Sequence, residues 1–447
     1  MNKEEIIELI KDGSIDISKL QLLLSDMNTA DIAEIFEDLD REKVLQLFRI
    51  LPKATASDVF AFMDSNHQQH IIETFTDAEI GEIMNELFVD DAVDFLEEMP
   101  ANVVTRALQN VHSKKRSLIN HILQYPDDSA GSIMTTEFVY LPEDATVREA
   151  FVDIRRTGLN KETIYTCYVI GNDRLLVGVI SAKKLMLANL EDRIGDLMNT
   201  NVVFARTTDD QETIADQFKK YGLLAMPVVD KERELVGIIT VDDIVDVIEE
   251  ENTEDIHRMA ALVPSEDPYL KTSIFRHARN RFLWMLILML SATITGTIIS
   301  SFENGLMVVP ILMSFIPMLM NTGGIAGSQS STLIIRGMAV GEIELNDIFI
   351  IIWKEIRVAA LCGLGLGAIN FIRVFIMNNK DVKLCLTITL SLFCTICMAK
   401  TVGGILPIFA RRMKIDPAIM SAPLLTTIVD AVSLIIYFSI AKVILGL

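Results

Sequence analysis

Beyond residue 281 the chain almost stops carrying charge: residues 282–300 form an uncharged run of 19 and residues 304–335 one of 32. A helix needs ~20 apolar residues to cross the hydrocarbon of a bilayer, and non-helical backbone survives at that depth only where it lines a cavity. Three further apolar stretches follow, near 347–376, 384–410 and 418–445. Five membrane-spanning helices are therefore expected. The longest run leaves room for a span plus an irregular, glycine-rich piece.

Half of the 447 residues are hydrophobic, yet the formal net charge is −21. The two properties are segregated, since residues 1–281 hold 29 basic and 53 acidic side chains whereas residues 282–447 hold 11 and 8. A strongly acidic soluble region repels nucleic acid and attracts cations, so no nucleic-acid partner is expected. Around the apolar runs, Arg276, Arg279, Arg281, Arg336, Lys354, Arg357, Arg411, Arg412 and Lys414 fall on one side, against Arg373, Lys380 and Lys383 on the other. The positive-inside rule then puts the acidic region in the cytoplasm and, with an odd number of spans, the C-terminus outside. The opening MNKEEIIELIKDGS has no apolar stretch suited to a signal peptide. Cys167, Cys362, Cys385, Cys394 and Cys397 give no disulfide framework, and Cys394 and Cys397 read as small residues on a membrane helix.

Residues 1 to about 125 read as short amphipathic helices with apolar positions three and four apart, and Leu51-Pro52 and Met99-Pro100 mark stops between them. A small helical superhelix is expected. From Met134 the period changes, and a unit of about 60 residues occurs twice. Each copy reads as strand, helix, two strands around a turn, and helix, with 168–170 matching 227–229 and 177–180 matching 236–239. The pair resembles tandem CBS domains. That family often holds an adenine nucleotide by a Ser/Thr-x-x-Asp at the start of its last helix; Thr240 and Asp243 keep the pattern, while Ser181 is followed by Lys184.

Asp430 stands among thirteen uncharged residues before it and eleven after it. A carboxylate at that depth costs ~2.5 kcal/mol or more, so it faces a watered path or a cation, unless a basic residue such as Lys400 pairs with it. Gly323, Gly324 and Gly327 interrupt an earlier span, either to turn backbone carbonyls toward a pore or to let helices pack closely. Asp90 and Asp94 share a helix face, and Asp243, Asp246, Glu250, Glu251, Glu254 and Asp255 crowd the segment leading into the membrane. Like charges at that spacing repel, so divalent cations would favour the arrangement, with a solvated acidic face as the alternative. His67 and His70 have no Cys or third His nearby in sequence and read as a solvent-facing helix. No P-loop or GxSxG is present, so ATP-driven pumping and enzymatic acyl transfer have no basis.

The chain as a whole resembles the MgtE family of magnesium transporters, on its helical N domain, the junction 125–134 (YPDDSAGSIM), the CBS pair, a connecting helix and five spans. The resemblance implies a multidomain membrane protein: an all-α superhelical N domain over 1–130, an α+β CBS pair over 131–250, a connecting plug helix over 241–275, and a pore domain over 276–447. It further implies a homodimer in the cell membrane that takes Mg2+ inward down its gradient, with Mn2+, Co2+ and Ca2+ as rival divalents, and closes when cytoplasmic Mg2+ is abundant. By this resemblance Asp430, Asn321, Gly324 and Thr426 match the pore site and Asp416 its cytoplasmic mouth. Asp90, Asp94, Gly131, Asp210, Glu212, Asp243, Asp246, Glu251, Glu254 and Asp255 match the Mg2+ sensor positions, and ATP is a candidate ligand of the CBS pair. The chain departs from the family pattern at Ile325, Ala422, Lys400 and Gly222. The rival reading is a non-conducting, membrane-anchored CBS sensor of Mg2+ or adenine nucleotide, or a divalent channel of different selectivity.

Overall fold

The computed structural model describes residues 3–12, 17–171, 173–265, 269–270, 272–302, 309–377, 381–420 and 422–446. Lys380, counted above among the outward charges, and the side chain of Ala422 lie outside the described set. Two compact units emerge, Met1–Ile248 and Glu249–Leu447.

The first unit begins with ten short helices among its described residues, from α1 (Lys3–Asp12) to α10 (Ser113–Ile122). Prolines supply the punctuation: Pro52 and Pro100 cap the N-termini of α5 (Lys53–Ala61) and α9 (Ala101–Gln109), so each Leu-Pro or Met-Pro ends one helix and starts the next. Thr76 opens α7 (Asp77–Glu86) with a reciprocal capping box to Glu79. The apolar faces meet in one core, with Ile32, Phe36, Phe60, Ile71 and Met84 wholly buried.

Two βαββ repeats follow. In the first, β1 (Phe138–Pro142) runs parallel to β2 (Thr163–Ile170) because α11 (Val147–Thr157) carries the chain back. β3 (Leu176–Ser181) then pairs antiparallel with β2, ahead of α12 (Ala182–Leu187) and the short α13 (Ile194–Leu197). The second repeat has β4 (Ala205–Arg206), α14 (Gln211–Tyr221), β5 (Ala225–Val229), β6 (Leu235–Thr240) and α15 (Val241–Met259), with the same strand order. The likeness extends to the hairpin turns, where Arg174 and Arg233 both adopt positive φ, 62° and 68°. Phe138, Tyr168, Val229, Leu235 and Ile238 form a core common to both repeats. The junction segment is stitched to the second repeat by Ala130 N–H to Asp209 O at 2.8 Å and Gly131 N–H to Thr207 O at 3.0 Å.

Among the described residues the second unit holds five helices long and apolar enough to cross a membrane: α16 (Ile274–Ser301), α17 (Ile316–Ala339), α18 (Ile348–Met377), α19 (Val382–Arg412) and α20 (Ala422–Leu445). α17, α19 and α20 pack around Leu319, Ile388, Ile396, Leu425 and Val429. One expectation is corrected here. Gly323, Gly324 and Gly327 do not break the span; α17 runs helically through all three, and the irregular piece is the 3-10 turn Pro310–Phe315 before it. The reason is steric: a Cβ on Gly403 would lie 2.2 Å from the carbonyl oxygen of Gly327, and one on Gly323 would lie 2.9 Å from both Thr395 and Val429. Small residues here let backbones approach, the packing alternative raised by the sequence.

Candidate metal sites

Helical spacing puts Asn321, Gly324 and Ser328 on one face of α17, and Thr426 and Asp430, four apart, on one face of α20. Those faces line a groove of about 780 Å³, shared with Met320, Ile325, Gln329, Thr332, Leu333 and Lys400. All four sequence-proposed residues of the pore site thus share one concavity, with Asp430 half-buried on its wall. Among the described residues Asp430 forms no ion pair. Lys400, the suspected partner, donates instead to Ser330 Oγ at 3.4 Å. Such a wall offers a carboxylate, an amide and hydroxyls to a partly hydrated cation.

Asp416 is not in that groove. Its Oδ2 accepts from Arg258, which also pairs with Glu254 one turn back on α15, and its Oδ1 accepts the Ala418 N–H at 2.7 Å. Asp255 lies beside them, its carboxyl pushed up to about 6 by burial and then by Asp416 and Glu251, against the pull of Arg258. Three proposed metal carboxylates, Glu254, Asp255 and Asp416, therefore gather around one guanidinium that the sequence reading passed over.

In the first unit α8 (Val89–Glu97) buries Asp90 and exposes Asp94. Burial pushes the Asp90 carboxyl well up, and Asp243, Asp91 and Glu162 add to it in that order. Burial likewise lifts Asp91 and Asp243 to about 6 and Glu162 to about 8, each with help from neighbouring acids. Among the described residues, Asp90 Oδ1 and Glu162 Oε2 are buried without a hydrogen-bond partner. Uncompensated buried carboxylates are costly; taking up a proton relieves them, and a bound divalent cation would do the same. Among the described residues no group of three His, Cys, Asp or Glu side chains could hold a metal ion by itself.

Asp91, Glu162 and Lys115 escaped the sequence reading. The Lys115 ammonium, drawn down by burial and up by Glu137, Asp91 and Asp90, donates to the Leu87 carbonyl oxygen. Their common signal is tertiary burial, which neither spacing nor composition encodes. Asp243 also has local work, accepting from Thr240 Oγ1 at 2.6 Å, so the Thr-x-x-Asp pattern is engaged with itself at the head of α15.

The other proposed sensor positions lie apart from this cluster or serve local structure. Asp210 caps α14 by accepting the Glu212 N–H at 3.0 Å, and both side chains are exposed. Asp246 is exposed on α15, and Glu251 is half-buried there. Gly131 lies under the Tyr125 ring, where a Cβ would come within 2.4 Å of Cγ. Gly222 ends α14 at φ +61°, a conformation that suits glycine better than an acid. His67 is not solvent-facing as expected: its Nδ1 contacts Asp64 Oδ2 at 2.7 Å, half-buried beside the helix cap.

Comparison with known proteins gives a consistent result. Residues 316–440 match the family model described as a divalent cation transporter, MgtE; residues 27–128 match the MgtE intracellular N domain; and 130–191 and 194–250 match CBS domains. The chain is 34% identical over 442 residues to a magnesium transporter MgtE of Thermus thermophilus, covering 98% of this chain and 97% of that one. It is 32% identical over 436 residues to the Bacillus subtilis protein of the same name, at 98% and 96% coverage. Among solved structures, the cytosolic domain of the Mg2+ channel MgtE in complex with ATP superposes with a TM-score of 0.52 at 33% identity, over 55% of this chain and all of that one.

Proposed function

The chain belongs to the MgtE family of magnesium transporters, and from that premise we propose that it conducts Mg2+ into the cytoplasm through a path whose binding carboxylate is Asp430. The observation that carries this is the groove in which Asp430 and Thr426 of α20 face Asn321 and Gly324 of α17 inside a bundle of apolar helices. A carboxylate without an ion pair at membrane depth is stabilised by a cation passing through water. An inside-negative potential supplies ~2.3 kcal/mol per charge per 100 mV, twice that for a divalent ion. The groove is open along one side in a single chain, and a second copy closes it; the working unit is a homodimer with its acidic unit in the cytoplasm and its C-terminus outside.

Control comes from the cytoplasmic acids. When Mg2+ is abundant it neutralises the cluster of Asp90, Asp91, Glu162 and Asp243 and the group of Glu251, Glu254, Asp255 and Asp416, favouring the closed state; when it is scarce their repulsion favours the open one. Asp94, Gly131, Asp210, Glu212 and Asp246 lie apart from these groups and, on the family likeness, serve further Mg2+ contacts of the sensor. ATP binding by the solved relative makes the CBS pair a candidate nucleotide site here, at Thr240 and Asp243. The reading in which Lys400 silences Asp430 finds no support in the Lys400–Ser330 contact.

Reconstitution into liposomes holding a Mg2+-sensitive dye tests the proposal. The wild-type protein admits Mg2+ under an inside-negative potential, and Asp430→Ala reduces the initial rate to that of empty vesicles. Undiminished uptake by Asp430→Ala rejects the assignment.

A further inference from the structure

The bundle buries a second charged constellation, of which one member, Lys400, lines the groove. Lys400 on α19 is 7% exposed, Glu355 on α18 is 9% exposed, and Ser330 on α17 is 1% exposed. Ser330 Oγ lies 2.6 Å from Glu355 Oε2 and 3.4 Å from Lys400 Nζ. The hydroxyl has one proton and gives it to the carboxylate at the shorter distance, so its lone pairs remain to accept from the ammonium. The outcome is a relay across three helices, with the lysine bound to the glutamate through a hydroxyl.

Glycines fix its geometry. The Gly327–Gly403 backbone approach sets α17 against α19 at the level of Ser330 and Lys400, and Gly404 leaves room for Glu355, whose Cγ would lie 3.2 Å from a Cβ there. A buried ammonium and a buried carboxylate are each costly alone, and the relay gives each of them a polar contact. Yet Lys400 also lines the groove that holds Asp430, and the ion pairs among the described residues do not include these two. A flexible four-carbon stem carries a permanent competitor for the carboxylate that the transported ion needs.

We propose that Ser330 and Glu355 are positioning residues that tether the Lys400 ammonium to the wall, so that Asp430 stays available to the divalent cation. The inference rests on the reading of the groove as a cation path. Without the tether, Lys400 turns to Asp430, neutralises it, and adds a positive charge where a divalent ion must pass.

The test compares Mg2+ uptake by full-length protein in dye-loaded liposomes for the wild type, Glu355→Gln, Lys400→Met and the double variant. Glu355→Gln is expected to lower the initial rate about tenfold or more, the scale of one added charge at close range in a partly desolvated site. Lys400→Met conducts, and the double variant recovers to within about twofold of it, because the competitor is gone. Ser330→Ala, alone and with Lys400→Met, repeats the cycle with a milder change and serves where Glu355→Gln fails to elute as the wild-type oligomer. Wild-type rates in Glu355→Gln and Ser330→Ala overturn the inference. So does a double variant that is folded and as slow as its Glu355→Gln or Ser330→Ala parent. A wild-type protein that admits no Mg2+ overturns the path itself, a separate failure.

Discussion

Removing the charge of Glu162 should stabilise the cytoplasmic unit at neutral pH when divalent cations are absent. Burial first, and then Asp91, Asp242, Asp243 and Glu137, push this carboxyl from 4.5 up to about 8. A carboxyl raised on folding contributes stability that is fully present below the unfolded value and is lost as pH rises through the folded one, here from about 4.5 to about 8. At pH 7 the full shift corresponds to roughly 3 kcal/mol; because the side chain is only partly buried, solvent screening reduces this to about 1–2 kcal/mol. Glu162→Gln keeps the shape and removes the penalty. The assay is urea unfolding of residues 1–265, followed by far-ultraviolet circular dichroism in chelator. The variant's midpoint should rise by roughly 0.5 M at pH 7, should match the wild type at pH 4, and should lose its advantage in saturating Mg2+. Equal midpoints at pH 7, or a difference that persists at pH 4, would show that folding does not raise the Glu162 carboxyl.

Other substitutions test neighbouring parts. Gly403→Leu forces a side chain against the Gly327 carbonyl oxygen, so the detergent-purified protein should lose its cooperative thermal transition, whereas Gly365→Leu, which meets nothing, should retain it. Gly131→Ala drives a Cβ into the Tyr125 ring and should cost about 1–3 kcal/mol in urea unfolding of residues 1–265, relieved by adding Tyr125→Ala. Arg258→Gln removes the cation shared by Glu254 and Asp416, so calorimetric Mg2+ titration of the detergent-solubilised protein should show about tenfold tighter binding.

The architecture was legible because each part writes its own period into the chain. Charge-free runs set the spans, proline set the joints of the helical domain, and the twofold βαββα pattern survived down to the turns at Arg174 and Arg233. The groove residues were legible from family likeness, and helical spacing then explains why they share a face. The glycines of α17 were not, because the same residues serve an opened helix and a close crossing; Gly403, far along the chain, decides between them. Glu355 was hidden between Lys354 and Arg357, where it resembled part of a polar connection, yet α18 begins at Ile348 and carries it about two turns inward. Glu162 and Lys115 owe their character to burial by segments distant in sequence.

The backbone contact between Gly327 and Gly403 has a mechanical consequence. Where peptide groups of two helices touch, neither helix can spin about its axis without thrusting a side chain into the other's main chain. The crossing of α17 and α19 thus behaves as a rigid plank. On the proposed cation path, widening the groove beside Asp430 would move α20 against that plank, or α17 and α19 together as one piece, much as a drawer moves on a fixed rail.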